Sequence, residues 1–182
     1  MSKTTRIGNS FVKIDIDKIE NLKEMLKAKI VAQVGVLGSK AASRKALGSL
    51  IKEGGHKKTR GAADMTNASI GLVHEKGSLS QNIPARSFLK LPFLIKSKGL
   101  FAIKAKLWAI YLQGEHTPTR LKQAYRDLGI AAENIIHAAF SSGGFGRWQK
   151  LSPKTIARKK SSAILIDSRQ LERSVDSRVG KR

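Results

Sequence analysis

The sequence predicts an α+β protein in which a small antiparallel or mixed sheet packs against one long helix and several short helices, with a basic loop insertion. Residues 30–37, IVAQVGVL, alternate in the manner of a strand. Residues 117–141 repeat apolar side chains at the spacing of a long helix. Shorter stretches start with serine, threonine or aspartate, the residues that cap helices. A length of 182 residues fits a single domain over 1–182.

The start of the chain predicts one helix followed by one strand. Residues 1–13 indicate a loose start or an edge strand. A helix is expected to begin near Asp15 or Asp17, because either carboxylate can cap a first turn. Its apolar stripe comprises Ile19, Leu22, Leu26 and Ile30. The strand at 30–37 carries apolar side chains on both alternating sets, so we expect it to be largely covered on both faces.

Residues 38–64 predict a long, mobile basic insert with one short helix around Ala46–Lys52. Basic side chains outnumber the two acidic ones in this stretch, and they include Lys52, Lys57, Lys58 and Arg60. Two interpretations stay open for them. The insert is either an arm that faces DNA or another partner, or a solvated insertion with no partner.

The stretch from Met65 to Phe93 predicts a short helix followed by a stiff turn, around which the rest of the chain is organised. Thr66 can cap the helix, Met65 and Ile70 have the spacing of a hydrophobic staple, and Gly77 can end the helix in a left-handed conformation. A polar loop, Ser78–Asn82, comes next. Pro84 fixes its own φ and forces the preceding residue to be extended, so Arg86 and Phe88 are expected to leave the turn in defined directions.

Two further helices are expected in the middle of the chain. The stripe of Leu100, Ile103, Leu107 and Ile110 predicts an amphipathic helix over Leu100–Leu112. Packing of this helix on a sheet is favoured over binding to a membrane surface. Thr117 and Pro118 are typical of a helix start, and the helix is expected to run for about 35 Å to near Ser141. Its stripe comprises Leu121, Tyr125, Leu128, Ala132, Ile135 and Ala139, and it can pack on the sheet or on a neighbouring subunit.

The C-terminal third predicts alternating short elements. The glycine-rich run at 141–146 indicates a flexible joint. Ser152 and Pro153 predict a capped helix, with Leu151 and Ile156 at staple spacing. Two short strands, Ile164–Ile166 and Val175–Val179, are expected to pair with the strand at 30–37. Between them a turn capped by Asp167, with Gln170 in a capping box and Leu171 in a staple, is expected, and a basic tail at about 176–182 closes the chain.

The charge of the chain points to a polyanionic partner. The formal net charge is +22, which suits nucleic acid, an anionic membrane or an acidic protein surface. No stretch of 18 residues is free of charge and the start of the chain has no apolar leader, so we expect neither a transmembrane helix nor a signal peptide. The absence of cysteine excludes disulfides and thiolate chemistry.

No arrangement of residues indicates catalysis. The histidines are far apart in sequence, at His56, His74, His116 and His137. His74-Glu75 lacks the second histidine of the HExxH zinc motif, and no GxSxG elbow is present. We therefore expect a protein that is not an enzyme and that needs no metal and no cofactor. Distant residues can converge on folding, so an enzyme stays open as a third alternative.

Two separated signatures resemble the tail-component and virion-morphogenesis proteins of long-tailed bacteriophages, the neck or tail-completion group that includes minor tail protein Z-like proteins. The first is VHEKGS at 73–78, followed by IPARSFL at 83–89. The second is W-x-x-L-S-P-x-T-I-A-x-K at 148–159, followed by L-I-D-S-x-Q-L-x-x-S-V at 165–175. The resemblance covers about Lys29–Leu37 and Thr66–Val179. The turn and assembly residues that it implies are His74, Glu75, Gly77, Pro84, Arg86, Phe88, Trp148, Leu151, Ser152, Pro153, Asp167 and Leu171.

Three features depart from this family's usual pattern. Lys76 stands where the family usually has an aromatic residue, and Ser168-Arg169 stands where it usually has Thr-Gly. The basic insert is also longer than usual. These departures leave the expected fold unchanged. They affect the expectation of which neighbouring protein this chain contacts.

The resemblance implies a structural role in the virion. Such a protein is expected to be assembled in the host cytoplasm and to act at the head–tail junction, in head–tail joining or tail completion, as a subunit of a homo-oligomeric ring, expected to be a hexamer, around the DNA channel. Its expected partners are head-completion or connector proteins and tail-terminator or tail-tube proteins, with non-specific contact to packaged DNA and no membrane. The alternative is a basic architectural nucleic-acid-binding protein.

Overall fold

The computed structural model describes residues 2–7, 10–27, 30–42, 66–114 and 117–181. Helices and strands both occur, so the chain is a small α+β protein, and the described part is mostly helical. Its strands are β1 (Ser2–Ile7), β2 (Ser10–Asp15), β3 (Ile30–Val36) and β4 (Val175–Lys181). Its helices are α1 (Ile16–Lys27), α2 (Gly38–Ala42), α3 (Asn67–Lys76), α4 (Lys90–Leu112), α5 (Pro118–Ser141), α6 (Pro153–Lys159) and α7 (Gln170–Arg173).

The strands form two separate two-stranded sheets. β1 and β2 form an antiparallel hairpin in which Ser2 lies opposite Asp15 and Ile7 lies opposite Ser10. This hairpin was not expected from the sequence, although the dipeptide Gly-Asn at 8–9 separates the two runs and is a known hairpin signal. Helix α1 follows directly, and the Lys18 amide donates to the Asp15 carboxylate at 3.3 Å, as the predicted cap requires.

The second sheet pairs β3 with β4, which confirms the predicted pairing of residues 30–37 with the C-terminal strand. Most residues of β3 are only half-buried and Gln33 is exposed, so the expectation of cover on both faces was wrong. A sheet of two strands cannot bury its members as a wider parallel sheet does. β4 continues to Lys181, so residues 176–181, expected as a basic tail, belong to this strand.

The segment after α6 is not a strand, and this prediction was wrong. Ile164 and Leu165 lie in a turn, and Leu165 has a φ of +58°. The ammonium of Lys159 donates to the carbonyls of Ala163 at 2.9 Å and Ile166 at 2.6 Å. These carbonyls wrap around the cation, so the local β propensity of the isoleucines does not decide the backbone conformation.

Two further predictions, the cap at Asp167 and the loop at 38–64, differ from the structure. Asp167 does not cap α7, since the N-cap is Arg169, with a φ of +56° and no side-chain cap hydrogen bond. The start of the expected loop at 38–64 is helical as α2, and Asn67 of α3 donates its side-chain amide to the carbonyl of Lys40 at 2.9 Å. The remainder of that insert, with its short helix around Ala46–Lys52, lies outside the described residues, as does Met65 of the predicted staple.

Helix α4 is longer than predicted, because it begins at Lys90 rather than at Leu100. Lys96, with a φ of −107° and a ψ of 20°, breaks the helical geometry between its two parts. In the second part the predicted stripe is confirmed, since its four residues are buried or half-buried while Phe101 is 63% and Trp108 is 49% exposed.

Helix α5 begins and ends close to the predicted positions. The amide of Arg120 donates to the hydroxyl of Thr117 at 3.3 Å, which confirms the cap. Near the C-terminal end Ile136 and Phe140 are buried in place of Ile135. The predicted spacing of 3.5 residues per turn drifts against the real helix by about 20° per heptad, which accounts for the shift.

The chain contains two compact units, and each is described by itself. The first comprises Met1–Gln33, Lys98–Ile130 and Arg178–Arg182, and its buried side chains include Leu107, Tyr111 and Leu121. The second comprises Val34–Ser97 and Ala131–Ser177. Its core is formed by Phe88, Ile136, Ala139, Phe140, Trp148, Leu171 and Val175.

The glycine-rich run after α5 is a tightly bonded turn, so the expectation of a flexible joint was wrong. The Gly144 amide donates to the carbonyl of Ala139 at 2.7 Å, and the Trp148 amide donates to the carbonyl of Gly143 at 3.1 Å. Gly144 has a φ of +69°, and a side chain at this position would overlap the indole of Trp148. Glycine is therefore needed here both for the backbone conformation and for the close approach of the ring.

Two alanine substitutions in this turn separate the cost of the backbone conformation from the cost of overlap with the Trp148 ring. Gly144→Ala is expected to lower the free energy of unfolding by about 3 kcal/mol or more, since it adds steric overlap to the backbone cost. Gly146→Ala, at a φ of +76° with open space around it, is expected to cost only about 1–2 kcal/mol. Urea denaturation of both variants measures the difference. Equal losses would show that Trp148 does not restrict the turn.

Candidate functional site

The first signature forms the end of α3, a closed loop and the start of α4. The Ser69 amide donates to the Thr66 hydroxyl at 3.1 Å, which confirms the predicted cap of α3. At the other end the Gly77 amide donates to the carbonyl of Val73 at 2.7 Å. Gly77 has a φ of +78° and a ψ of 174°, so its φ is positive as expected, but it lies outside the left-handed helical region. A bridge between Ser78 and Ile83 then closes the polar loop.

The carboxylate of Glu75 holds the start of α4. Its Oε1 accepts hydrogen bonds from the Ser87 hydroxyl at 2.6 Å and the Lys90 amide at 3.0 Å. Its Oε2 accepts from the amides of Phe88 at 2.8 Å and Leu89 at 2.9 Å. These amides belong to a helix N-terminus, where they lack partners within the helix and where negative charge is favourable. Glu75 therefore joins α3 to α4 and fixes the turn between them.

Arg86 connects the two signatures. Its backbone amide donates to the carbonyl of His74 at 2.7 Å, and its Nε donates to the carbonyl of Gln149 at 3.0 Å. In the opposite direction the indole Nε1 of Trp148 donates to the carbonyl of Ser87 at 3.0 Å. Two stretches more than sixty residues apart in sequence are thus joined by reciprocal bonds. The stiff turn predicted around Pro84 positions the two groups of the first signature that make these bonds, the side chain of Arg86 and the carbonyl of Ser87.

Aromatic packing lies directly behind this junction. Phe88 is fully buried, and its ring centroid is 5.3 Å from that of Phe140. The ring of Phe140 in turn meets Trp148 edge-on, with centroids 5.9 Å apart and an interplanar angle of 82°. Gly71 of α3 packs so closely that an added Cβ would lie 3.3 Å from Phe88 and 3.5 Å from Leu171. Phe88, Trp148 and Leu171 therefore act as core residues of the junction.

A cavity of about 920 Å³ opens beside the junction. Among the described residues that line it are four cationic side chains, those of Arg86, Lys150, Arg158 and Lys159, and a single carboxylate, that of Asp167. Arg86 is only 6% exposed, and within the described part of the chain no carboxylate lies within 4 Å of its guanidinium. Burial lowers the pKa of Arg86, although a guanidinium stays charged at neutral pH. We name this space the cationic cavity.

The cations of the cavity influence the neighbouring histidine. Burial lowers the pKa of His74, and the positive charges of Arg86 and Lys159 lower it further. His74 is therefore neutral at pH 7, and its buried Nδ1 has no hydrogen-bond partner in the part of the chain that the structure describes. Burial also lowers the pKa of Lys159, while the nearby charge of Asp167 acts in the opposite direction.

The structure brings most of the residues that the sequence singled out into one unit. Glu75, Phe88, Trp148 and Leu171 lie at the junction or in its core, and Gly77 approaches the amide of Ala85 so closely that a Cβ would lie 2.8 Å from it. Six of the others line the cationic cavity, namely His74, Pro84, Arg86, Leu151, Ser152 and Asp167. Pro153 is the first residue of α6, and the Thr155 amide donates to the Ser152 hydroxyl at 3.2 Å, as predicted.

Four participants were not among the residues singled out from the sequence, namely Ser87 of the turn and the cavity cations Lys150, Arg158 and Lys159. Ser87 and Lys159 do lie within the two signatures. The residues of the predicted arm lie outside the described residues, and they are Lys52, Lys57, Lys58 and Arg60.

The described residues contain no group of three or more histidine, aspartate or glutamate side chains arranged to hold a metal ion. No described helix is long and apolar enough to cross a membrane. Comparisons with protein-family models, with curated proteins and with solved structures find no match to this chain.

Removal of the Glu75 carboxylate tests its role at the junction. Glu75→Ala is expected to lower the free energy of unfolding by about 3 kcal/mol, because three helix-terminal amides and one hydroxyl lose their acceptor. Glu24→Ala is the matched control, since among the described residues that exposed carboxylate bonds to Lys27 of its own helix, and the substitution is expected to cost at most about 0.5 kcal/mol. Urea denaturation of the two variants gives both values, and similar losses would contradict the role of Glu75.

The lowered pKa of His74 predicts a loss of stability in acid. Below the ordinary pKa of 6.5 the unfolded chain binds a proton at this residue while the folded chain resists it. Stability present above this pH is therefore lost as the pH falls towards the lowered pKa. Measured by urea denaturation across this range, His74→Gln is expected to lose less stability than the unsubstituted chain. Equal losses in the two proteins would exclude His74 as the cause.

Proposed function

We propose that this chain is a structural subunit of the head–tail junction of a long-tailed bacteriophage, acting without catalysis in head–tail joining or tail completion. The observation that carries the proposal is the junction of the two signatures. The residues that resemble the neck and tail-completion proteins occur in two separated stretches, and these stretches meet through Arg86, Ser87 and Trp148. A resemblance made of unrelated short matches has no reason to converge in this way.

The physical character of the unit suits assembly in a defined register. The turn at 83–88 is held by a carboxylate, a buried arginine and an indole, so its surface is stiff before any partner arrives. Stiff surfaces bind with a smaller loss of conformational entropy than surfaces that must first become ordered. In this proposal the subunit forms a homo-oligomeric ring, expected to be a hexamer, between connector or head-completion proteins and tail-terminator or tail-tube proteins.

The net charge of +22 supports a second candidate, a basic architectural nucleic-acid-binding protein. The same charge is compatible with a ring that surrounds packaged DNA, because a channel needs only sequence-independent phosphate contacts. The two candidates predict different binding of the isolated subunit to DNA. An architectural protein binds free duplex DNA tightly and with a steep dependence on salt, whereas a ring subunit needs its neighbours.

A nonsense codon early in the gene of a phage or prophage that carries this chain tests the first candidate. Electron microscopy of the lysate is expected to show DNA-filled heads beside separate or malformed tails, because the subunit that completes the junction is missing. A plasmid copy of the unsubstituted gene is expected to restore infectious particles. Normal infectious particles without the protein would contradict the proposal, and tight binding of the purified subunit to duplex DNA would then favour the second candidate.

The same complementation assay tests the junction. Trp148→Ala and Phe88→Ala each remove a buried ring from the core and are expected to fail in rescue, with a loss of about 3–5 kcal/mol in the free energy of unfolding. Phe101→Ala is the control for folding, since it removes the ring of a residue that is 63% exposed and is expected to cost about 1 kcal/mol or less. Normal rescue and normal stability in both core variants would remove their role in the proposal.

A further inference from the structure

The cationic cavity combines charge, depth and apolar surface in a way that the stability of the unit does not explain. Burying a guanidinium without a carboxylate partner costs free energy, and the carbonyls of Gln149 and Lys150 offset only part of that cost. The side-chain hydrogen bonds that the structure shows for Arg86 come from Nε at 3.0 Å and from Nη2 at 3.5 Å, and both go to backbone carbonyls. Lys150 and Arg158 are exposed at the cavity and add positive potential, against the one carboxylate, that of Asp167, among its described lining residues.

We propose that the cationic cavity binds an acidic peptide segment of a partner protein, with a carboxylate directed towards Arg86 and an apolar side chain beside it. A guanidinium presents several donors in a planar fork that suits a carboxylate, and the bond is stronger where water is excluded. The volume of about 920 Å³ falls in the range of ligand sites and accommodates a few residues of an extended chain.

The lining also offers an apolar anchor. Leu79 is the first residue of the loop closed by Ser78 and Ile83, and it is fully exposed to solvent. Leu151 and Leu165 contribute further apolar surface to the same cavity. An exposed leucine beside a buried cation fits a peptide that alternates apolar and acidic side chains, because both kinds of contact are then made at once.

The shape of the cavity favours a peptide over duplex DNA. The phosphates of a duplex lie on a stiff, wide cylinder and reach cations that project from a surface. Arg86 is 6% exposed within a concave site, where a single side chain or a chain terminus can enter. A second copy of this chain is a poor source of the segment, because it carries 13 acidic residues against 35 lysines and arginines. The partner is therefore expected to be a different, acidic protein.

This inference goes beyond the proposed function and does not depend on it, because the cavity is argued from its own residues. Binding of a peptide is measured with purified protein, whereas the role at the head–tail junction is tested in a lysate. A negative result in one of these two experiments therefore does not contradict the hypothesis that the other one tests.

Fluorescence anisotropy with a labelled peptide tests the proposal. The probe is a heptapeptide that alternates leucine and glutamate and ends in a free carboxylate, and its control replaces each glutamate by glutamine and ends in an amide. The full chain is expected to bind the acidic peptide at least about tenfold more tightly than the control peptide. Equal binding of both peptides would overturn the proposal.

Charge reversal at the cavity provides the matched comparison. The double variant Lys150→Glu/Arg158→Glu leaves Arg86 and the junction in place and is expected to weaken binding of the acidic peptide by about tenfold or more. Lys122→Glu/Arg126→Glu makes the same change of net charge on exposed positions of α5 outside the cavity, and it is expected to weaken binding less than about twofold. Equal weakening in the two double variants would show general attraction to a basic protein and would overturn the proposal.

Two competitors identify the source of the negative charge. Inorganic phosphate and a short duplex DNA are added to the complex of the full chain with the labelled acidic peptide, at matched ionic strength. Neither is expected to displace the peptide at concentrations where the unlabelled peptide does. Displacement by the duplex at lower concentration than by the unlabelled peptide would assign the cavity to nucleic acid and overturn the proposal.

Discussion

The carboxylate of Glu75 is the contact on which the second unit depends. It accepts four hydrogen bonds from the start of α4, and it does so from the last turn of α3, so two helices and the loop between them become one stiff piece. The helix terminus gains acceptors that its own geometry does not supply, and the carboxylate gains donors where the helix dipole favours a negative charge. The direction in which Arg86 and Phe88 leave the turn follows from this contact.

These two side chains leave the turn for different environments, Phe88 for the core and Arg86 for the cationic cavity. Phe88 enters the core, where its ring packs against Phe140 and the ring of Phe140 packs against Trp148. Arg86 enters the cationic cavity, where carbonyls of the second signature hold it. A single stiff piece therefore couples the packing of the core to the placement of a charge.

Positive charge is present throughout the chain, but its consequences depend on where it lies. Exposed lysines and arginines contribute to a diffuse attraction for polyanions that salt screens within about 8–10 Å. Arg86 and Lys159 act at short range, where their charges add to the effect of burial and lower the pKa of His74 further. The diffuse charge suits an environment rich in DNA, and the cavity suits recognition of a particular acidic segment.

Local rules were enough for the α+β class, for the caps at Asp15, Thr66, Thr117 and Ser152, and for the strand that became β4, since each depends on neighbours within a few residues. Local rules failed where a distant group decided the outcome. The isoleucines near Leu165 have strand propensity, but the ammonium of Lys159 bends their backbone, and the glycine run after α5 is held by Trp148. The basic insert, apart from its start in α2, lies outside the described residues, so its role stays a prediction.

The cavity was not predictable from the sequence for the same reason as the bent segment at 164–166. It arises only when two stretches more than sixty residues apart are hydrogen-bonded to each other. No local pattern encodes which carbonyls a buried cation will meet.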